Sequence, residues 1–405
     1  MDKVIVTILI TLLALVNVIY YYTSQCNTNQ ISSIIDVHQD PISRSATTIT
    51  INKFENLYDN VVIYVIGDIP RGLRELVKQI KADIIQYDFL REIPAKKGIV
   101  IVTRRLAPSE REIISQLLRK MFVIITLNEE AKKQIDHILS RIATFSATFN
   151  GTNVYIYKLI STTPRKGGRY PVMIKGYAGN DITYDALNDA IKMLEYETSD
   201  WKIIGFVSWS SDEQWKPYGK LNIEHEILYY TPDPWSDMDL YAVRCVTEII
   251  SGAKLGWVDA SGDAWWNDYI ESHYYLNYYT SIYDLRDYSP SSMSNIPSQI
   301  TVSPTWPPGV SLTWSYPGDY IMSTSSEGDL GANIAGWVHD LGEPLYTHAT
   351  KETVKIEPGF EFTVSPETTG KQRWEISGEW VVPARYYPYK PFKGTVAIEF
   401  TLHYS

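Results

Sequence analysis

The chain has 405 residues, 44% hydrophobic and 21% charged, a composition that folds around cores and excludes wholesale disorder. A net charge of −10 argues against a nucleic-acid binder, which carries a basic face. Two cysteines, Cys26 and Cys245, exclude a disulfide-dense scaffold and a four-cysteine zinc module.

The chain opens on an uncharged apolar run, residues 4–22, ending in Tyr20, Tyr21 and Tyr22. About 20 apolar residues cross a hydrocarbon core, and terminal aromatics suit its interface. No small-residue cleavage pattern follows, so an uncleaved single-pass anchor in membrane lipid is expected. Lys3 precedes the run and no Lys or Arg follows it until Arg44. The positive-inside rule then places the N-terminus in the cytoplasm and the bulk of the chain outside. Residues 23–52 are polar and read as a stalk.

Residues 53–160 alternate strand and helix. Unbroken apolar runs at 61–66, 99–102 and 122–125 suit strands buried on both faces. Helices are expected after Gly72, from Pro108 or Ser109, and from the cap Asn128. The pattern predicts a small three-layer α/β domain with a mostly parallel sheet. Its turn Gly67–Gly72 matches neither GxGxxG nor a P-loop, which argues against nucleotide binding. The sequon Asn150-Gly151-Thr152 makes Asn150 a candidate glycosylation site.

Beyond the linker at 161–170 the composition changes. All twelve tryptophans lie at or after Trp201. Residues 53–160 carry a net charge of +5 and residues 201–405 one of −13. Residues 165–405 are therefore expected as a separate, mainly antiparallel, sandwich-like β region, with a further split near 255 left open. A helix at 182–196 follows Asp181. Strands are expected near 202–209, 219–230, 239–250, 309–316, 352–364, 373–382 and 395–404. The last alternates Val396, Ile398, Phe400, Leu402 and Tyr404 with polar residues. The expected fold class is thus α+β multidomain, with an N-terminal transmembrane helix ahead of the two folded parts.

Three chemistries compete in the second region. Asp259, Asp263 and Glu271 stand among tryptophans, as the carboxylates of a glycoside hydrolase would. Trp257, Trp265, Trp266, Tyr274, Tyr275 and Tyr278 offer rings and hydroxyls for protein or glycan recognition, although a β core rich in tyrosine would show the same pattern. Asp233, Asp237 and Asp239 share one acidic stretch and are candidate ligands for a structural calcium; no other cofactor is expected. Neither cysteine looks nucleophilic. The leading expectation is an anchored, extracytoplasmic, non-catalytic surface protein for recognition, adhesion or envelope assembly. Its partner would be a protein or glycan rather than nucleic acid. The alternative is an anchored carbohydrate-binding or glycoside-hydrolysing protein with its site in residues 256–275. Self-assembly through the strand at 395–404 is a third reading.

Overall fold

Four short strands, three of them wholly apolar or nearly so, begin the structure, a computed structural model. It describes residues 61–230, 238–291, 299–302, 312–317, 319–342, 349–382 and 391–403. The expected anchor 4–22, the stalk, Cys26, Asp233 and Asp237 lie outside the described residues. Strands β1 (Val62–Ile66), β2 (Asp83–Tyr87), β3 (Ile99–Val102) and β4 (Val123–Thr126) are parallel, in the order β4-β3-β1-β2. Every residue of β1, β3 and β4 is buried, because helices cover both faces.

Those helices begin as the sequence signals. Helix α1 (Leu73–Ile80) buries Leu73, Val77 and Ile80, one face at helical spacing. In α2 (Pro108–Arg119), proline occupies the first turn, and the Glu110 carboxylate accepts the Ala107 N–H at 2.8 Å. Asn128 caps α3 (Glu129–Ile142) by accepting from the Glu130 and Ala131 N–H groups at 3.0 and 3.1 Å. The cap of α4 (Tyr184–Glu195) is Thr183, not Asp181; its hydroxyl accepts the Ala186 N–H. α1 and α4 share one apolar cluster with β1, β3 and β4, while α2 and α3 pack on the opposite face.

The sheet continues past these strands. Strands β6 (Thr152–Leu159), β7 (Val172–Ala178), β8 (Ile203–Ser210), β9 (Gly219–Tyr230) and β10 (Asp239–Ser251) extend it beyond β4. β17 (Thr353–Ile356), β18 (Gly359–Val364) and β12 (Tyr283–Ser289) complete twelve strands. β9 and β10 pair antiparallel from Gly219–Ser251 to Tyr230–Leu240. A six-stranded sheet runs β15-β16-β11-β19-β20-β5. Its members are β15 (Ile321–Ser326), β16 (Ile334–Leu341), β11 (Trp266–Tyr275), β19 (Gly370–Val381), β20 (Phe392–Leu402) and β5 (Phe145–Phe149). A ribbon of β13 (Gln299–Val302) and β14 (Leu312–Ser315) is separate.

The expected fold class is therefore corrected. The protein is mostly β, 49% strand and 16% helix. The β-rich part of the expectation stands. The parallel strands are one end of a sheet that runs on through residues 165–251, and all described residues belong to one compact unit. Among the described residues no helix is long and apolar enough to cross a membrane. The local periodicities were read for what they are; the pairing that joins them is non-local. β5 follows α3 directly, yet it pairs with β20, Phe149 against Ile398 and Phe145 against Leu402. Gly205 permits this crossing: a Cβ there would lie 2.6 Å from the Phe145 ring and 2.0 Å from the Val172 carbonyl oxygen.

Aromatic rings fill the space between the two sheets. Tyr274 packs on Phe360 at 4.9 Å and Trp374 on Phe400 at 4.6 Å, while Trp374 also meets His225 at 5.6 Å. Trp337 and Trp374 satisfy their indole N–H groups on the Pro290 carbonyl and the Gln372 side chain, both at 2.9 Å. Each ring hides about 150–250 Å², an upper bound of about 4–6 kcal/mol. β20 is paired along its length by β19 and over Ile398–Leu402 by β5 as well, which leaves only its first half with an open edge.

Candidate functional site

Strand alternation divides the residues of the six-stranded sheet between two faces. In β11, Ile270, Ser272 and Tyr274 point inward and Tyr269, Glu271, His273 and Tyr275 outward. β19 does the same with Gln372, Trp374 and Ile376 against Lys371, Arg373 and Glu375. The outward rows register across strands: Tyr275 opposes Arg373, and Arg373 opposes Glu399.

At the end of β11 the chain turns, and this turn carries Tyr278 and Tyr279, 56% and 39% exposed. Arg373 lies 5.1 Å from the Tyr278 ring and Lys371 4.4 Å from that of Tyr279. Both cations also hold acids: Arg373 binds Glu375 at 2.6 Å and Lys371 binds Glu399 at 2.5 Å. Tyr279 donates its hydroxyl to Glu399 at 2.5 Å. Tyr275 meets Tyr278 at 6.2 Å and His273 at 6.1 Å, and His273 pairs with Glu327. The result is an exposed tyrosine platform with its supporting cations held in place by carboxylates.

The other end of the same face is acidic. Asp268 occupies a bulge between Asn267 and Tyr269, and Tyr269 opposes both Asp340 and Glu379. Burial pushes the Asp268 carboxyl up to about 7, with Glu379 and Asp340 adding repulsion. Glu379 is also raised, chiefly by burial. Glu271 is held by an ion pair to Lys393.

The expected site residues therefore separate. Tyr275 and Tyr278 come together on the platform. Tyr274 is fully buried, its hydroxyl 2.9 Å from His225 Nε2, and belongs to the core. Trp257, Trp265 and Trp266 lie in or beside the loop preceding β11. Trp265 is buried edge-on against Tyr218 at 4.6 Å, and Trp257 receives Lys216 at 5.3 Å. Asp259 organises that loop, accepting from the Ser261 and Asp263 N–H groups and from the Trp265 indole. Asp259 and Asp263 thus serve a turn, while Glu271 stands on the sheet face. Asp239 is buried and accepts from the Tyr229 hydroxyl at 3.3 Å, so it does not present itself to a surface calcium. Among the described residues no group of three or more His, Cys, Asp or Glu side chains is arranged to hold a metal ion. Cys245 is buried, which pushes its thiol up, away from a reactive thiolate. Asn150 is exposed in the turn between β5 and β6.

Sequence reasoning does not select Tyr279, Asp268 or Asp340 as site residues, although each stands in a stretch the sequence marks, and it gives no reason to choose Lys371, Arg373 or Glu379. The alternation of Lys371, Arg373 and Glu375 marks a polar face, but nothing local says which turn lies over it.

No family model matches the chain, and no curated protein does. Among solved structures, one described as a pore forming protein aligns at 12% identity over 48% of this chain and 88% of its own. Its TM-score of 0.28 is too low to carry an argument.

Proposed function

We propose that the chain is a non-catalytic recognition protein, displayed outside a membrane, that binds a protein or glycan partner through Tyr275, Tyr278 and Tyr279. The observation that carries this reading is the exposure of Tyr278 and Tyr279 in a chain that buries so many of its large rings between sheets. Tyrosine provides wide contact at low entropic cost, and Arg373 and Lys371 hold the two rings in place before any partner arrives. Attachment through the apolar run 4–22 rests on the sequence alone.

The test is crosslinking and glycan-array binding by cells displaying the full chain, with and without Tyr278→Ala and Tyr279→Ala. Loss of each central ring should weaken binding by about tenfold or more. The unfolding temperature should hardly move, since both rings are exposed. Capture by the double variant equal to the wild type refutes the platform.

One observation favours a second reading, glycoside hydrolysis. A carboxyl near 7 beside two further carboxylates is suited to proton transfer at neutral pH. The carbohydrate-active alternative thereby moves to Asp268, with Glu379 or Asp340 as the second group. Hydrolysis abolished by Asp268→Asn would support it, and turnover unchanged by that substitution would exclude it.

A further inference from the structure

Far from the tyrosine platform along the chain, helices α2 and α3 border a surface groove of about 490 Å³. Its lining includes Arg111, Ser115 and Arg119 from α2 and His137 and Arg141 from α3, with Glu112 as the only carboxylate of the lining among the described residues. Residues 111, 115 and 119 recur at i, i+4 and i+8, so they form one stripe about 12 Å long. Positions 137 and 141 form the matching stripe on α3.

Some arginines of the structure hold an acid, and others, such as the exposed Arg71 and Arg74, hold none among the described residues. Arg104, Arg244, Arg286 and Arg373 each hold a carboxylate. Arg111, Arg119 and Arg141 form no ion pair with any described carboxylate. Glu112 instead accepts from Gln116. Arg119 and Arg141 stand in the last turns of their helices, where a cation is favoured by the dipole. Arg111 stands near the start of α2, where the dipole disfavours it. Its Nε is moreover buried with no hydrogen-bond partner. A buried donor left open is costly, and the groove is approached instead by the rest of the Arg111 side chain, which lines it.

We infer that this groove binds the phosphoryl groups of a polyanionic ligand. The guanidinium fork matches two oxygens of one phosphoryl group, and two such forks about 12 Å apart along α2, with a third on α3, suit a chain or row of them better than a single ion. The net charge of −10 for the whole chain does not oppose this. Residues 53–160 carry +5, and salt screens any charge farther from the groove than about 8–10 Å. The phosphoryl groups can belong to a soluble oligophosphate or to anionic lipid headgroups, and the chemistry at the groove is the same.

The experiment uses the full-length chain and two probes, inorganic tripolyphosphate in calorimetry and vesicles of neutral lipid with or without an anionic phospholipid. Saturable binding of tripolyphosphate is expected, weakened about tenfold or more by Arg111→Gln with Arg141→Gln and weakened by added salt. Lys78→Gln removes a cation from α1, outside the groove, and should leave binding unchanged. Thermal unfolding without ligand reports whether each variant folds. Arg111→Lys, which keeps the charge but loses the fork, should bind between the two extremes. Binding to anionic vesicles alone, lost in the double variant, places the phosphoryl groups on lipid. Failure of both probes to bind the wild type overturns the inference, as does binding that survives the double substitution.

Discussion

Glu361 offers a sharp test of how this protein is held together. It sits in β18 between β10 and β12, opposite Ala242 on one side and Asp287 on the other. The residue is fully buried and neither carboxyl oxygen has a hydrogen-bond partner. Burial, reinforced by Asp287, pushes its pKa up to about 9 from an ordinary 4.5. The folded state therefore keeps a proton on Glu361 at pH values where the unfolded chain has released it. A carboxyl raised in this way contributes its stability below about pH 4.5. That contribution falls as pH rises toward 9, by about 1.4 kcal/mol per unit. From pH 5 to pH 8 the loss is about 4 kcal/mol, a large share of the 5–15 kcal/mol typical of a folded domain.

Glu361→Gln preserves shape and removes the titration. Urea unfolding followed by tryptophan fluorescence, at pH 5 and pH 8, should show the variant gaining about 4 kcal/mol on the wild type between the two conditions. Other titrating groups cancel in that difference. Two curves that stay parallel within about 1 kcal/mol would refute the reasoning, because they would mean that the carboxyl is solvated or paired in the folded protein.

Three further outcomes are expected. Trp374→Ala should cost about 3–5 kcal/mol in urea unfolding, since it removes the ring packed between Phe400, Tyr274 and His225. Glu110→Ala should cost about 2–4 kcal/mol by the same assay: the buried Glu110 side chain accepts the Leu90 and Ala107 N–H groups, which would be stranded, while Arg104 keeps the Asp88 and Arg105 carbonyls. His339, buried against Thr324 and Tyr316, is held down to about 3 by burial, so the stability it contributes above about pH 6.5 is lost as pH falls toward 3. Between pH 7 and pH 5 that loss is about 2 kcal/mol, and His339→Asn should flatten the acid limb of the stability curve by this amount.

The tyrosine run illustrates how far sequence reasoning reaches. Tyr274 and Tyr275 are neighbours of identical chemistry. Alternation along β11 requires them to face opposite ways, but it does not say which face a second sheet will cover. Burial of Tyr274 follows from Trp337, Phe360 and Trp374, contributed by β16, β18 and β19. The carboxylates behave similarly. Asp259 looked available for catalysis from its neighbours, yet its Asp-x-x-Gly setting is a turn, and the turn consumes its oxygens. Asp268 shares the local signal of Asp259 and Asp263, but nothing local sets it apart, because its raised pKa comes from burial in a bulge and from acids on β16 and β19.

Short-range physics was legible in the residues alone. The apolar runs of β1, β3 and β4, the cap at Asn128, the proline opening α2 and the alternation of β20 all depend on neighbours within a few positions. Tertiary structure alone decided that the parallel strands and the long antiparallel strands share one sheet, and that β5 leaves its own neighbours to pair with β20 near the opposite end of the chain. It also decided which tyrosines meet solvent and which arginines go without acids. The physical reason is that a strand's hydrogen bonds are satisfied equally well by any partner in register. The choice among partners is made by the packing of whole faces, and those faces are assembled from segments that no local window contains together.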